Sequence, residues 1–299
     1  MSVRLKKRNL SKAVIASREW YARLGELCAG GFTTASMIGL ADELVERLDV
    51  DSILILRYPR ASSPQLLYGR PDHRHRANTV EDYLLGHYAL DPFYLRSDYC
   101  SQRGLISLRD VIEEDFASSE YYKVHYQSAG LIDEMCFCCS DGEGGHLNLS
   151  LSRTLGKSHF SAAELAGARA IAPLVTAALS STWRALCPDA SSAPQVTSAD
   201  GEHHRHIENV RLNFGRSVLT EREYEILQHL LRGNSVDLIA QRLDIAVSTV
   251  KVHRKHIYSK LEINSQAEIF TLFLEVVAGT KYEPGSDPLA RYQRSSARA

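Results

Sequence analysis

Between Ile245 and Leu261 the chain carries four cations, Lys251, Arg254, Lys255 and Lys260, and no carboxylate. Val250, Ile257 and Leu261 stand seven and four residues apart in the same stretch, which lines them along one side of a helix. Lys251, Val252, Lys255 and Ser259 then face outward, with Arg254 at the flank. The segments before it are just as sharply punctuated. LTEREYEILQHLLRG opens with Thr220 and Glu223 at capping-box spacing, runs on with Tyr224, Ile226, Leu227, Leu230 and Leu231 as an apolar face, and stops at Gly233. SVDLIAQRLDI reads as a second short helix with Leu238, Ile239 and Leu243 inward, and the break from Asp244 to Val247 separates it from the third. Two short helices joined by a tight turn, the second of them basic, predict a helix-turn-helix.

Charge location matters here more than charge total. The 299 residues hold 35 Lys+Arg against 36 Asp+Glu, a net charge of -1, which excludes a histone-like cationic coat. Residues 216–281 carry nine Lys/Arg against eight Asp/Glu, so the positive patch belongs to one helix and not to the unit. Groove geometry supplies the chemistry. Lys251 and Lys255 can donate to guanine O6 and N7 or to phosphate, and an exposed Val252 can touch a thymine methyl. Ser248, Thr249 and the helix's first amides suit phosphate oxygens. The expected DNA-contacting set is Thr220, Ser248, Thr249, Lys251, Val252, Arg254, Lys255 and Ser259, with double-stranded DNA as partner.

LTEREYEIL, Gly233, IAQRL and STVKVHRKHIYSKLEI together resemble the DNA-binding domain of LuxR-type bacterial transcription regulators over about 60 residues. The resemblance implies a four-helix domain whose STVKVH helix enters the major groove, and a last helix, about Ser265 to Ala278, that mediates dimer contact. Independently, SQAEIFTLFLEVVA is apolar nearly all round, and Ile269, Phe270, Phe273, Val276 and Val277 are the expected homodimer surface. This chain departs from the family at Ala246, where Ser is usual and would cap the helix. Leu238 stands where an acidic residue is common, and Gln266 where Arg is common. RNA polymerase is a further partner that such a function allows.

At ~100 to 200 residues per domain the length predicts about two domains. CPDASSAPQVTSADGEHHRHIEN has almost no large apolar residue in its first part, and reads as a linker. The expected organisation is a sensor-like domain over 1–186, a linker over 187–215, the helix-turn-helix unit over 216–281 and a flexible tail over 282–299. His203, His204 and His206 then fall in a solvated spacer. Cysteines 28, 100, 136, 138, 139 and 187 show no framework spacing, which fits a reducing compartment. The basic start MSVRLKKRNLSK leads into no apolar run, and AIAPLVTAAL is interrupted by Pro173 and Thr176; neither a signal peptide nor a membrane span is read, and the protein is expected in the cytoplasm.

In the first domain REWYARLGELCAG and TTASMIGLADELVERL have helical spacing, and DSILILRYP and PQLLYG read as strands. EDYLLGHYA and SSEYYKVHYQSAG read as helical, DEMCFCCSD and GHLNLSLSR as a strand pair around DGEGG, and FSAAELAGARAIAPLVTAALSSTW as a closing helix. An antiparallel sheet flanked by helices follows, so the whole chain is of α+β class with an all-α C-terminal unit. Such a sheet can enclose a small-molecule pocket.

A phosphorylation receiver would need an acidic cluster at the ends of parallel strands, and no such pattern is present. Gly156-Lys157-Ser158 imitates the end of a P-loop, but the required first Gly falls on Leu151. EDYLLGHYALDPFY partly resembles the aromatic-plus-Asp-Pro stretch of acyl-homoserine-lactone-binding domains of LuxR regulators, with Tyr83, Tyr88 and Asp91 as candidate ligand contacts. In those domains a Trp and a Tyr precede the Asp by thirteen and nine residues; here Asn78 and Asp82 stand there. Asp91 can accept from a ligand amide or ammonium between aromatic walls, or Asp91-Pro92 simply caps a helix. Tyr121, Tyr122 and Tyr126 fit core or pocket wall. Cys136, Cys138 and Cys139 lack the partners of a tetrahedral metal set, and no spacing argues for a catalytic arrangement, a metal or a cofactor. The leading expectation is a DNA-binding transcription regulator controlled by a small molecule in its first domain. Two alternatives stay open: a ligand-free dimerisation or protein-interaction module in front, and an acyl-homoserine-lactone receptor.

Overall fold

Alternation along GHLNLSLSR sets up the centre of the molecule. The computed structural model describes residues 18–29, 31, 33–70, 78–96, 104–112, 122–127, 129–186, 198–232 and 234–296. Strands β1 (Ser52–Tyr58), β2 (Gln65–Arg70), β3 (Leu105–Ser107), β4 (Leu131–Ser140) and β5 (His146–Thr154) form one antiparallel sheet in the order β2-β1-β5-β4-β3. Leu147, Leu149 and Leu151 of β5 point to one face; Asn148, Ser150 and Ser152 point to the other, and all six are buried. Both faces are therefore covered. β3 is three residues long, too short for a periodicity to announce it.

The Leu face packs under α1 (Arg18–Ala29), α2 (Thr34–Arg47) and the long α6 (Ala162–Leu186), joined by Met135 and Phe137 of β4. By length and composition α6 would reach across a membrane. Its stripe of Leu165, Ala168, Ile171, Val175 and Leu179 is instead buried in this core. The polar face is roofed by α3 (Asn78–Leu85), a 3-10 turn at His87–Leu90, α4 (Pro92–Leu95), α5 (Leu108–Val111) and a π-helical turn at Tyr122–Gln127. At the β4–β5 turn, Asp141 Oδ1 accepts from the N–H groups of Glu143 (2.8 Å) and Gly145 (2.9 Å). A Cβ on Gly145 would lie 2.4 Å from the Tyr58 carbonyl oxygen, so the close approach requires glycine. Buried Arg57 ties the same turn to β1, its Nε 3.0 Å from Asp141 Oδ2 and its guanidinium over the Trp183 ring.

Among the described residues six helices follow: α7 (Ser198–Asn213), α8 (Glu221–Leu231), α9 (Val236–Leu243), α10 (Val247–Leu261), α11 (Gln266–Gly279) and α12 (Pro288–Ser296). Two of them correct the expected organisation. The second half of the expected linker is helix α7, whose Ile207 and Val210, with Phe214 just beyond, are fully buried. Its polar composition hid three well-placed apolar residues that recur at helical spacing. The expected flexible tail contains α12, where Leu289 is fully buried and Tyr292 packs against Gly279. These additions also correct the expected dimer surface. Ile269, Phe270, Phe273, Val276 and Val277 are all buried within the one chain, with Phe273 in edge contact with Phe214 at 5.6 Å between centroids. A helix that is apolar all round needs cover on every side, and here α7 and α12 supply what a second subunit was expected to supply.

Candidate nucleic-acid interface and ligand chamber

The helix-turn-helix is held by local capping. The Thr220 side chain accepts from the Glu223 N–H, and Glu223 Oε2 accepts from the Thr220 N–H at 2.9 Å. Burial alone would raise the Glu223 carboxyl. The Lys260 ammonium, 2.6 Å away, and the Thr220 donors outweigh burial and bring it down to about 2. That ion pair pins the far end of α10 to the start of α8. Glu223, His253 and His256 also bring donor atoms within 4.8 Å of one another. The first of these is already engaged by Lys260 and its own cap. Ser235 caps α9, and Asp244 closes it in the left-handed region at φ 52°. Helix α10 begins at Ala246 with no side-chain cap, so the usual serine's bond is lost and Ser248 does not replace it.

Around α10, Val250, Ile257 and Leu261 are buried against the other helices. Ser248, Thr249, Lys251, Val252, Lys255 and Ser259 are exposed and Arg254 is half-buried, its guanidinium near the Tyr258 ring. Val252 is 52% exposed, an apolar side chain standing free between two lysines. Thr220 is exposed at the opposite end of the motif, with its hydroxyl committed to the cap.

The polar face of the sheet, with the tyrosines that roof it, is the second candidate site. Tyr83 donates to Asp91 Oδ2 at 2.5 Å, so the Tyr58 hydroxyl, 2.7 Å from that of Tyr83, is left to donate to it. Asp91 Oδ1 accepts from the Phe93 N–H at 2.8 Å, and Pro92 is the first residue of α4. The two readings of Asp91 thus coincide: one oxygen caps a helix while the other faces the tyrosines. Across the chamber Glu134 accepts from Tyr126 at 2.7 Å and from Ser150. Burial raises Asp91 to about 6 against the hydrogen bonds from Tyr83 and Phe93. Burial, with the Asp91 charge adding to it, raises Glu134 to about 7 against those from Ser150 and Tyr126. Asn148 is buried, and its Oδ1 has no hydrogen-bond partner among the described residues.

Tyr122 stacks on Tyr126 at 5.8 Å, and His146 stacks on Tyr58 at 4.7 Å. Cys136 and Cys138 are buried on this side of the sheet and in no disulfide. Tyr121 and cysteines 100 and 187 lie outside the described residues, as does the side chain of Cys28. Position 82, where the lactone-binding domains carry a tyrosine, is an exposed aspartate. The side chain of Asn78 lies outside the described residues.

Tyr88, expected as a ligand contact, turns elsewhere. Its hydroxyl lies 3.0 Å from His204 Nδ1 on α7. His206 Nε2 lies 3.0 Å from the Val277 carbonyl of α11. Two of the three histidines expected in a solvated spacer, His204 and His206, are therefore buried bridges, and burial lowers the pKa of each. Sequence reasoning missed Glu134, Tyr58 and Ser150. Their signal was the run of polar residues alternating with Leu and Met on strands flanked by apolar helices.

Residues 217–273 match the family model of bacterial regulatory proteins of the luxR family. An HTH-type transcriptional regulator from the exeN 3' region of Aeromonas salmonicida is 32% identical over 187 residues, covering 62% of this chain and 93% of that protein. The nitrate/nitrite response regulator NarP of Escherichia coli is 44% identical over 59 residues, 20% of this chain and 27% of its own length. Among solved structures, the LBD domain of VqsR from Pseudomonas aeruginosa is similar at 29% identity and a TM-score of 0.46, over 56% of this chain and 97% of that one. NarP shares a short module, whereas the Aeromonas regulator is matched over nearly its whole length. Its helix-turn-helix capped and folded as described, the chain belongs to the LuxR family of bacterial transcriptional regulators.

Proposed function

We propose that α10 reads duplex DNA through Lys251, Val252 and Lys255, and that the tyrosine chamber binds a small molecule controlling that reading. One observation carries the first half: an exposed valine flanked by two exposed lysines on the open side of a helix whose other side is buried. An apolar group left in water between cations has no role in the fold, and it suits a thymine methyl beside phosphates and guanines. Thr249, with the uncapped amides at the start of α10, positions the helix on phosphate without reading sequence.

The chamber offers two carboxyls and an amide oxygen, unpartnered among the described residues, inside a ring of tyrosines, which suits a ligand that donates hydrogen bonds through an amide, hydroxyl or ammonium group. The protein works in the cytoplasm as a homodimer on two half-sites about one helical turn apart, and its dimer contact lies outside the apolar residues of α11.

Gel-shift titration against specific and scrambled duplexes tests the first half. Val252→Ala and Lys255→Ala should each lower discrimination by about 1 to 3 kcal/mol, while Thr249→Ala weakens all DNA alike. Full binding by a variant with Lys251, Val252 and Lys255 replaced together overturns the assignment. For the chamber, thermal shift against metabolite and acyl-homoserine-lactone panels is the test, since a ligand at a hundred times its Kd adds about 2.7 kcal/mol.

A further inference from the structure

Glu223, in the first turn of α8, faces two histidines of α10. His253 and His256 stand three residues apart, which puts both rings on one side of the helix. Each offers a ring nitrogen, and these two nitrogens and a Glu223 oxygen all lie within 4.8 Å of one another. The bonds that Glu223 accepts from the Thr220 N–H, at 2.9 Å, and from Lys260 Nζ, at 2.6 Å, both fall on Oε2. Oε1 instead meets His256 Nδ1 at 3.8 Å, beyond hydrogen-bond range. His253 Nδ1 is hidden from water with no hydrogen-bond partner among the described residues.

The fold uses Oε2 and has no need of the rings. A capping box and a Glu–Lys pair hold α10 on α8 without a histidine at either position. An imidazole nitrogen kept from water without a partner is a cost that nothing in the helix-turn-helix offsets. Two imidazoles and one carboxylate are a donor set that zinc takes, with a fourth position open to water. Tetrahedral bonds of ~2.0 to 2.2 Å set ligand atoms about 3.3 to 3.6 Å apart. The separation of His256 from Glu223 is close to that, and the His256 side chain, 56% exposed, has room to close it. Thr220 and Lys260 stand where outer partners stand at metal sites: by holding one carboxylate oxygen they fix the direction of the other. Lys260 also shares the carboxylate's charge, which weakens its hold on a second cation and makes the ion exchangeable.

We propose that Glu223, His253 and His256 form an exchangeable site for a divalent transition-metal ion of the zinc class, open to solvent at His256, which clips α10 to the start of α8. Its ligands come from two helices, so an ion seated there stabilises their packing. His256 follows Val252 by four residues, about one turn, which places the ion beside the exposed face of α10.

The test uses the full chain without a histidine tag, kept reduced, stripped by a chelator and titrated with Zn(II) against a chromophoric chelator. The parent should bind one ion more than His256→Gln does, and Zn(II) should raise its Tm. His256→Gln should weaken binding at this site by more than the ~10- to 100-fold that loss of an outer partner costs, with the zinc-free Tm unchanged because the ring is exposed. His253→Gln should weaken it alike. With Co(II) in place of Zn(II), the difference spectrum between parent and His256→Gln should show the visible bands of four-coordinate cobalt and no near-ultraviolet thiolate band, which sets the site apart from the cysteines. The proposal falls if His256→Gln binds Zn(II) as the parent does, or if the difference spectrum carries the thiolate band. It falls too if Zn(II) raises Tm equally in the parent and both variants. Every readout is taken without DNA and without a chamber ligand, so this site and the two readings above fail separately.

Discussion

The two faces of the central sheet are built from the same strands and serve opposite ends. On one, Leu147, Leu149 and Leu151 meet Met135, Phe137 and the stripe of α6 in a dry core. On the other, Asn148, Ser150 and Ser152 meet Glu134 and the tyrosines of the roof, equally hidden from water. Burying hydroxyls and carboxyls gains nothing by transfer from water, and each needs a partner to break even. The Leu face buries charge as well, but as guanidinium–carboxylate pairs, Arg57 with Asp141 and Arg153 with Glu164, whereas Asp91 and Glu134 on the other face meet hydroxyls and a backbone amide. That difference in partners is what supports the proposed site on the polar face.

Truncating the dry face should cost most. Phe137→Ala, at a position with no exposure, is expected to lower unfolding free energy by about 3 to 5 kcal/mol in urea titration. A loss under about 1 kcal/mol would mean that this core is not close-packed.

On the wet face the expected effect depends on pH. Asp91 and Glu134 titrate higher in the folded chain, at about 6 and about 7, than in the unfolded one. The folded state therefore holds extra protons from about pH 4 to about pH 7, and stability falls as pH rises through that window. Glu134→Gln should flatten the slope, leaving stability near the parent's at about pH 4 and above it at about pH 8. An unchanged slope would remove Glu134 from the chamber's electrostatics.

Tyr88→Phe is the smallest of the three. It deletes one hydrogen bond, to His204, and should cost about 0.5 to 1.5 kcal/mol, with the loss seen in the cooperativity between the two units. Two separate unfolding transitions in the variant, against one in the parent, would identify this bond as a main tie between them.

Legibility differed between the two sites for a physical reason. The recognition face of α10 is local: its residues lie within one helix, and 3.6-residue periodicity alone sorts Lys251, Val252 and Lys255 from Val250 and Ile257. In the chamber Tyr83 and Asp91 lie eight residues apart, as do Tyr126 and Glu134, but nothing local joins one pair to the other. Tyr58, Tyr126, Glu134 and Ser150 reach it from β1, the π-helical turn, β4 and β5, so no spacing rule connects them. Tyr88 was misassigned because its neighbours in sequence line the chamber while its hydroxyl meets a histidine more than a hundred residues away.

The amino-acid order by itself determined the helices of the helix-turn-helix, the Thr220 cap, the strand pair around DGEGG and the cationic face of α10, because each depends on interactions within a few residues. What covers α11 is a matter of tertiary structure. An apolar helix states that it must be buried, not by what, and here α7 and α12 of the same chain do it. Tertiary structure likewise decided that Asn148, Ser150 and Ser152 of β5 lie buried under the tyrosine roof and that Tyr88 meets His204. These features depend on segments far apart in sequence, and only closure of the fold brings such segments within reach of one another.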